Sequence, residues 1–137
     1  MPRQTGLNHF RVAAGILHDH GGRVLITERL CDGPFDGLWE FPGGKIGGDE
    51  SSGDALKREL AEELGIEATD LQPLMELHHE YPDRVVDLEF FLVNAWNGEP
   101  EGLEGQGLRW LPARELDPGE LLPADAPVVA AIQQILS

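Results

Sequence analysis

Between Gly43 and Gly65 the chain reads GGKIGGDESSGDALKRELAEELG, a glycine-rich turn running into one strongly marked helix. The pattern predicts a helix over 51–64. Ser51 is suited to the N-cap, Asp54 three residues on makes a weak capping box, and Gly65 stands where a left-handed C-terminal glycine belongs. At about 100° per residue, Glu59, Glu62 and Glu63 fall within one arc of roughly 100°. Leu56, Leu60 and Leu64 form a separate stripe. One helix can therefore bury its leucines and aim three carboxylates beside the core. Two unit charges 4 Å apart repel by ~4 kcal/mol at an effective dielectric of about 20, so such a cluster calls for a cation. Oxygen donors without a histidine or cysteine set point to Mg²⁺, or Mn²⁺, rather than zinc. Gly43 and Gly44 let the backbone approach a metal or phosphate, with a carbonyl to offer. The plainer reading is a solvated acidic face paired with Lys57 and Arg58.

Charge narrows the partners. A formal net charge of −15 over 137 residues argues against a nucleic-acid polymer or an anionic membrane surface. It allows a small anionic substrate if cations stand between it and the protein. Cys31 is the single cysteine, so no internal disulfide forms and a reducing compartment is the default. The first ten residues hold no apolar signal region, and no apolar run reaches the ~18 residues of a membrane span. These features predict a soluble, cytoplasmic protein. The length fits one domain over residues 1–137, with no linker to divide it.

Residues 9–17 and 23–28 are apolar and β-branched with DHGG between them, which predicts a hairpin. Residues 30–38 read as loop, and 39–41 as a short strand stopped by Pro42-Gly43-Gly44. Residues 72–79 and 85–95 read as strands joined by EYPD, and in the second Val86, Leu88, Phe90 and Leu92 alternate with Val85, Asp87, Glu89 and Phe91. EPEGLEGQG reads as a mobile acidic loop, LRWL as a strand, 113–116 as a helical turn and 126–136 as a terminal helix with Pro127 in its first turn. The expected architecture is an α/β sandwich with a mixed sheet between helices. His78 and His79 would point to opposite faces of a strand and receive no role.

From Gly44 the spacing runs five residues to Glu50, seven to Arg58-Glu59-Leu60, then Ala61, Glu62-Glu63, Leu64 and Gly65-Ile66. This resembles the Nudix box, G-x5-E-x7-R-E-U-x-E-E-x-G-U with U a bulky aliphatic residue, at each of nine specified positions over 23 residues. LWEFPGGKI, EYPDR, NGEPEGLEGQGLRWLP and LPADAPVVAAI further resemble the MutT branch, which sanitises oxidised nucleoside triphosphates. The likeness extends from about Val12 to Ile132. It implies the Nudix fold, an α/β/α sandwich with a mixed sheet. It implies Mg²⁺-dependent hydrolysis of a nucleoside triphosphate to a monophosphate and pyrophosphate by a monomer or weak dimer. By position, Glu59, Glu62, Glu63, Glu104 and the Gly43 carbonyl would hold metal. Arg58 would orient Glu59, and either Glu59 or Glu104 would be the general base. Arg29 would face the phosphates, Phe41, Tyr81, Val86 and Leu88 would line the base pocket, and Asp125 would read the base edge.

Each assignment has a plainer alternative. Glu104 is otherwise a loop acid, Arg29 a surface ion pair, Phe41, Val86 and Leu88 core, Tyr81 part of a turn, and Asp125 an N-cap of the last helix. The best-known MutT proteins carry asparagine at that last position. An ionised aspartate only accepts hydrogen bonds, and a guanine edge offers two adjacent donors, so 8-oxo-dGTP ranks first. Aspartate there also resembles relatives acting on CTP and modified cytidine triphosphates, the alternative reading. An ADP-ribose pyrophosphatase and a non-catalytic nucleotide-binding module rank below both.

Overall fold

The computed structural model describes residues 8–30 and 35–136; Cys31 lies outside them. Among the described residues, seven strands form two sheets. The first has the order β4-β1-β6-β5, built from β1 (Asn8–Leu17), β4 (Gly43–Lys45), β5 (Glu67–Tyr81) and β6 (Arg84–Asn97). It is mixed: β1 runs parallel to β6, and the β4–β1 and β6–β5 pairs are antiparallel. The second sheet, in the order β3-β2-β7, joins β2 (Arg23–Glu28) to β3 (Trp39–Glu40) and β7 (Leu108–Pro112), antiparallel throughout.

Helices cover both sides. On α1 (Ser52–Leu64), Leu56, Leu60 and Leu64 are fully buried against Ala13, Leu17, Leu25, Phe91 and Val93. On α2 (Val129–Leu136), Val129 and Ile132 pack with Ile16, Val24, Ile26, Phe90 and Leu92. This is the expected α/β/α arrangement with a mixed sheet. Because both faces of the sheets are covered, β6 is apolar on both sides from Phe90 to Val93, and its alternation fades there. No helix among the described residues is long and apolar enough to cross a membrane.

Three expectations change. The segments 9–17 and 23–28 do not form a hairpin. Only a single bridge, His18 to Val24, joins them, and each strand completes its ladder in a different sheet. The turn between them is closed by the Asp19 carboxylate, which accepts from the Gly21 and Arg23 amides, and it leads the chain from one sheet to the other. The chain resumes as strand at Gly43 instead of stopping there. A Cβ at Gly43 would lie 2.1 Å from the Ala13 carbonyl oxygen, so glycine is what lets β4 lie so close to β1. The terminal helix begins with a 3-10 turn over Ala126–Val128.

Candidate active site

Helix α1 is capped as its sequence predicts. The Ser51 hydroxyl accepts from the Asp54 amide at 3.1 Å, and Gly65 adopts φ 72°, with its amide donating to the Ala61 carbonyl. The remaining carbonyls at this C-terminus lack intrahelical donors. The loop carrying Glu104 supplies them. Glu101 N–H donates to the Leu64 carbonyl at 3.0 Å, and Leu103 N–H to that of Glu63 at 3.1 Å. The expected mobile acidic loop is thus fastened to the acidic helix.

Arg58 organises the other end of the helix's polar face. Its Nε and NH2 donate to the two Glu50 oxygens at 2.6 and 2.9 Å, its NH1 to Glu59 Oε2 at 2.9 Å, and its NH2 to the Lys45 carbonyl at 3.0 Å. Gly47 N–H also donates to Glu50, at 2.8 Å. Those bonds hold the Glu50 carboxyl down at about 2, the Arg58 guanidinium contributing most. Arg58 is thus hydrogen-bonded to Glu59, the residue that the resemblance has it orient. That Glu50 in turn orients Arg58 was not assigned from the sequence, although the motif contains it.

Glu59 lies against Gly44, where a Cβ would sit 2.3 to 2.6 Å from its carboxylate atoms. The close approach made by this glycine is to a side chain of α1. Glu63 has its carboxyl pushed well above the ordinary range, first by burial, then by its hydrogen bond to Glu59 and by the charges of Glu59 and Glu104. Glu62 stands apart, 57% exposed and 3.4 Å from Arg58. Among the described residues, no three acidic, histidine or cysteine side chains already converge on one point as a metal site. The donor set is nevertheless all oxygen, and the crowding at Glu63 is the repulsion that a hard divalent cation relieves.

Two cavities adjoin this face. The larger, about 330 Å³, is lined by Arg29, Phe41, Tyr81, Val86, Leu88 and Asp125, all six residues expected to contact substrate, and also by Gly43 and Glu63. The smaller, about 270 Å³, is lined by Thr27, Glu28, Arg29, Leu30, Glu40, Glu63, Glu104 and Gln106. Arg29, Glu40 and Glu63 therefore border both. Arg29 donates from NH1 to Glu40 Oε1 at 3.0 Å within this shared wall. The larger cavity also includes Phe10, Phe35, Lys45 and Arg84, which the sequence reading did not assign. Phe10 is in phase with Val12 along β1 and Arg84 with Val86 along β6, so strand alternation carried a signal for both.

Asp125 does not cap the last helix. It has φ −90°, ψ −23° and no side-chain capping bond. Instead Oδ2 accepts from the Phe41 amide at 3.1 Å, and Oδ1 has no hydrogen-bond partner among the described residues. Asp125 is 4% exposed. Burial pushes its carboxyl up to about 7, against the Phe41 amide and Arg29 and with the help of Glu40. Tyr81 is held by its hydroxyl, which accepts from the Ala124 amide at 3.1 Å, and its ring stands 5.4 Å from that of Phe35. His78 and His79 do diverge. His78 bonds Asp87, whereas His79 packs on the Tyr81 ring.

Comparison with known proteins identifies the family. The NUDIX domain model matches residues 8–132. The 8-oxo-dGTP diphosphatase of Haemophilus influenzae is 42% identical over 119 residues, covering 87% of this chain and 88% of that protein. The CTP pyrophosphohydrolase of Escherichia coli is 37% identical over 124 residues, covering 90% and 91%. The solution structure of the Escherichia coli ORF135 protein superposes with a TM-score of 0.83 at 34% identity, covering 98% of this chain and 95% of that one. The intact box on a capped helix, the two-sided sandwich and a family match spanning nearly the whole chain lead to one conclusion: the chain belongs to the Nudix family and is a MutT-like Nudix hydrolase.

Proposed function

We propose that the protein hydrolyses 8-oxo-dGTP to the monophosphate and pyrophosphate, with Mg²⁺ or alternatively Mn²⁺. The observation that carries the reading is a pair of cavities that share Arg29, Glu40 and Glu63, one lined by Phe41, Tyr81, Val86, Leu88 and Asp125, the other by Glu28 and Glu104 as well. Relatives named for this activity support the choice of base. On this reading Phe41, Tyr81, Val86 and Leu88 enclose the base, and Asp125 Oδ1 accepts from its edge. Arg29 directs its charge at the phosphates from the shared wall. Glu59, Glu62, Glu63, Glu104 and the Gly43 carbonyl would hold the divalent ion, which when bound neutralises phosphate charge and eases deprotonation of water. Arg58 keeps Glu59 in the orientation that the site needs. Either Glu59 or Glu104 accepts the proton of the attacking water. One catalytic domain over residues 1–137, acting in the cytoplasm as a monomer or weak dimer on a small nucleotide, completes the reading.

A second reading, hydrolysis of CTP or a modified cytidine triphosphate, is favoured by Asp125 itself. The one carboxylate oxygen not taken by the Phe41 amide suffices for the single amino donor of cytosine, and a CTP pyrophosphohydrolase is among the relatives. The test is kcat/KM for 8-oxo-dGTP, dGTP, CTP, dCTP and ADP-ribose with Mg²⁺, with products identified by phosphorus NMR. The first reading expects 8-oxo-dGTP to lead and pyrophosphate to be released. Leadership by CTP selects the second, and orthophosphate as the primary product rules out both.

A further inference from the structure

We propose that Gln106 is a positioning residue that sets Glu104 against helix α1. The idea rests on the reading of Glu104 given above and assigns a device that holds it. The Gln106 side chain uses both ends of its amide. Nε2 donates to the Glu63 carbonyl at 3.1 Å, and Oε1 accepts from the Glu104 amide at 2.9 Å. One side chain thus bridges the backbones of two acidic residues that lie 41 positions apart in sequence and line the same cavity. The bridge needs a donor and an acceptor in a fixed planar fork, which only a carboxamide supplies, and asparagine is one methylene shorter.

The rest of the loop explains why Glu104 depends on it. Glu101 and Leu103 fasten the start of the loop to the α1 carbonyls. Glu28 fastens the end, its amide donating to the Gly107 carbonyl at 2.9 Å and its Oε1 accepting from the Gly107 amide at 3.2 Å. Glu104 sits between these anchors with an exposed side chain, so packing does not position it. Among the described residues, its backbone amide donates to Gln106 Oε1 alone. A reacting or ligating group displaced by ~1 Å can cost about 100-fold, so the bridge matters without touching substrate.

The test compares the protein with its Gln106→Met, Glu104→Gln and double variants. It reads Mn²⁺ binding without nucleotide by electron paramagnetic resonance, kcat and KM, thermal melting, and hydrogen exchange of the Glu104 amide. We expect Gln106→Met to weaken Mn²⁺ binding and lower kcat by ~10- to 100-fold, with KM changed by less than about threefold. Exchange at the Glu104 amide should quicken by at least about tenfold, as a lost protecting bond requires. Added to Glu104→Gln, the change should cost nothing more, because a residue acting through another is non-additive with it. Should Gln106→Met fail to fold, Gln106→Glu keeps length and the acceptor for the Glu104 amide but removes the donor to the Glu63 carbonyl, and is expected to lower kcat likewise while the Glu104 amide stays protected. Losses that multiply in the double variant overturn the proposal, as do wild-type binding and turnover in Gln106→Met. Wild-type behaviour of Glu104→Gln alone overturns the reading of Glu104 beneath it.

Discussion

Asp125 is the residue whose chemistry the fold changes most. As a sequence position it reads as an ionised, accepting carboxylate; buried at 4% exposure, it titrates at about 7. The sign of the consequence follows from its ordinary value of 3.8. A raised acid stabilises the fold fully below the lower value, and that stability is lost as pH rises through the folded one. Asp125→Asn retains an acceptor for the Phe41 amide and cannot ionise. Its melting temperature relative to the native protein should therefore climb between pH 4 and pH 8, reaching a gain of at least ~3 °C at pH 8. Melts across that range check it, and a difference independent of pH would show that the carboxyl is not strained by ionisation. Asp125→Ala removes both carboxylate oxygens, the one on the Phe41 amide and the one left over. It should lower kcat/KM for the preferred triphosphate by roughly 5- to 150-fold and spare a poor substrate. Equal losses on every base would mean that Asp125 does not read the base. None of this was legible locally, since the Phe41 amide is 84 residues away and a backbone donor leaves no trace in residue type.

At the scale of the element, α1 was the part most fully legible. Its cap, leucine stripe and terminal glycine follow from local spacing and appear where expected, whereas of the acidic arc Glu59 and Glu63 meet and Glu62 stands apart. The less legible part is what its polar ends recruit. Glu50 was a motif position without a role until the Arg58 fork was seen to close on it, and the Glu104 loop read as mobile because its partners are helix carbonyls. The fork gives a prediction. Arg58→Lys keeps the charge but cannot reach Glu50, Glu59 and the Lys45 carbonyl together. It should lower kcat/KM by ~10- to 100-fold through Glu59, as loss of a group supporting a metal ligand does. A loss confined to KM would show that Arg58 acts on substrate instead. Leu60→Ala, on the buried stripe, should do the reverse. It should cost ~2–5 kcal/mol in chemical denaturation and leave kcat nearly intact in the folded fraction.

The molecule as a whole shows where local reading ends. Strand positions were largely legible, but their partners were not. β1 and β2, adjacent in sequence, separate into two sheets, and β1 pairs in parallel with a strand some 76 residues on. Pairing is decided by which apolar faces can be covered at once, a property of the assembled layers rather than of any turn. Charge is also a property of the whole. A net −15, with the buried Glu63 carboxyl bonded to Glu59 and within the field of Glu104, makes the fold electrostatically costly without a bound cation, and the raised Glu63 carboxyl is where that cost surfaces. General screening and specific ion binding both relieve it, and they are separable. Sodium chloride at matched ionic strength screens every exposed charge and raises the melting temperature gradually. A divalent ion bound to the native state alone stabilises by about 2.7 kcal/mol at a hundredfold excess over its dissociation constant. We therefore expect MgCl₂ to raise the melting temperature above the matched sodium chloride control, by several degrees, steeply at first and then by only a small logarithmic increment for each further tenfold. Glu59→Gln with Glu63→Gln should raise the baseline by removing repulsion and abolish the extra gain from Mg²⁺, leaving only the response to ionic strength. A magnesium gain that persists in that double variant would locate the ion elsewhere on this acidic surface.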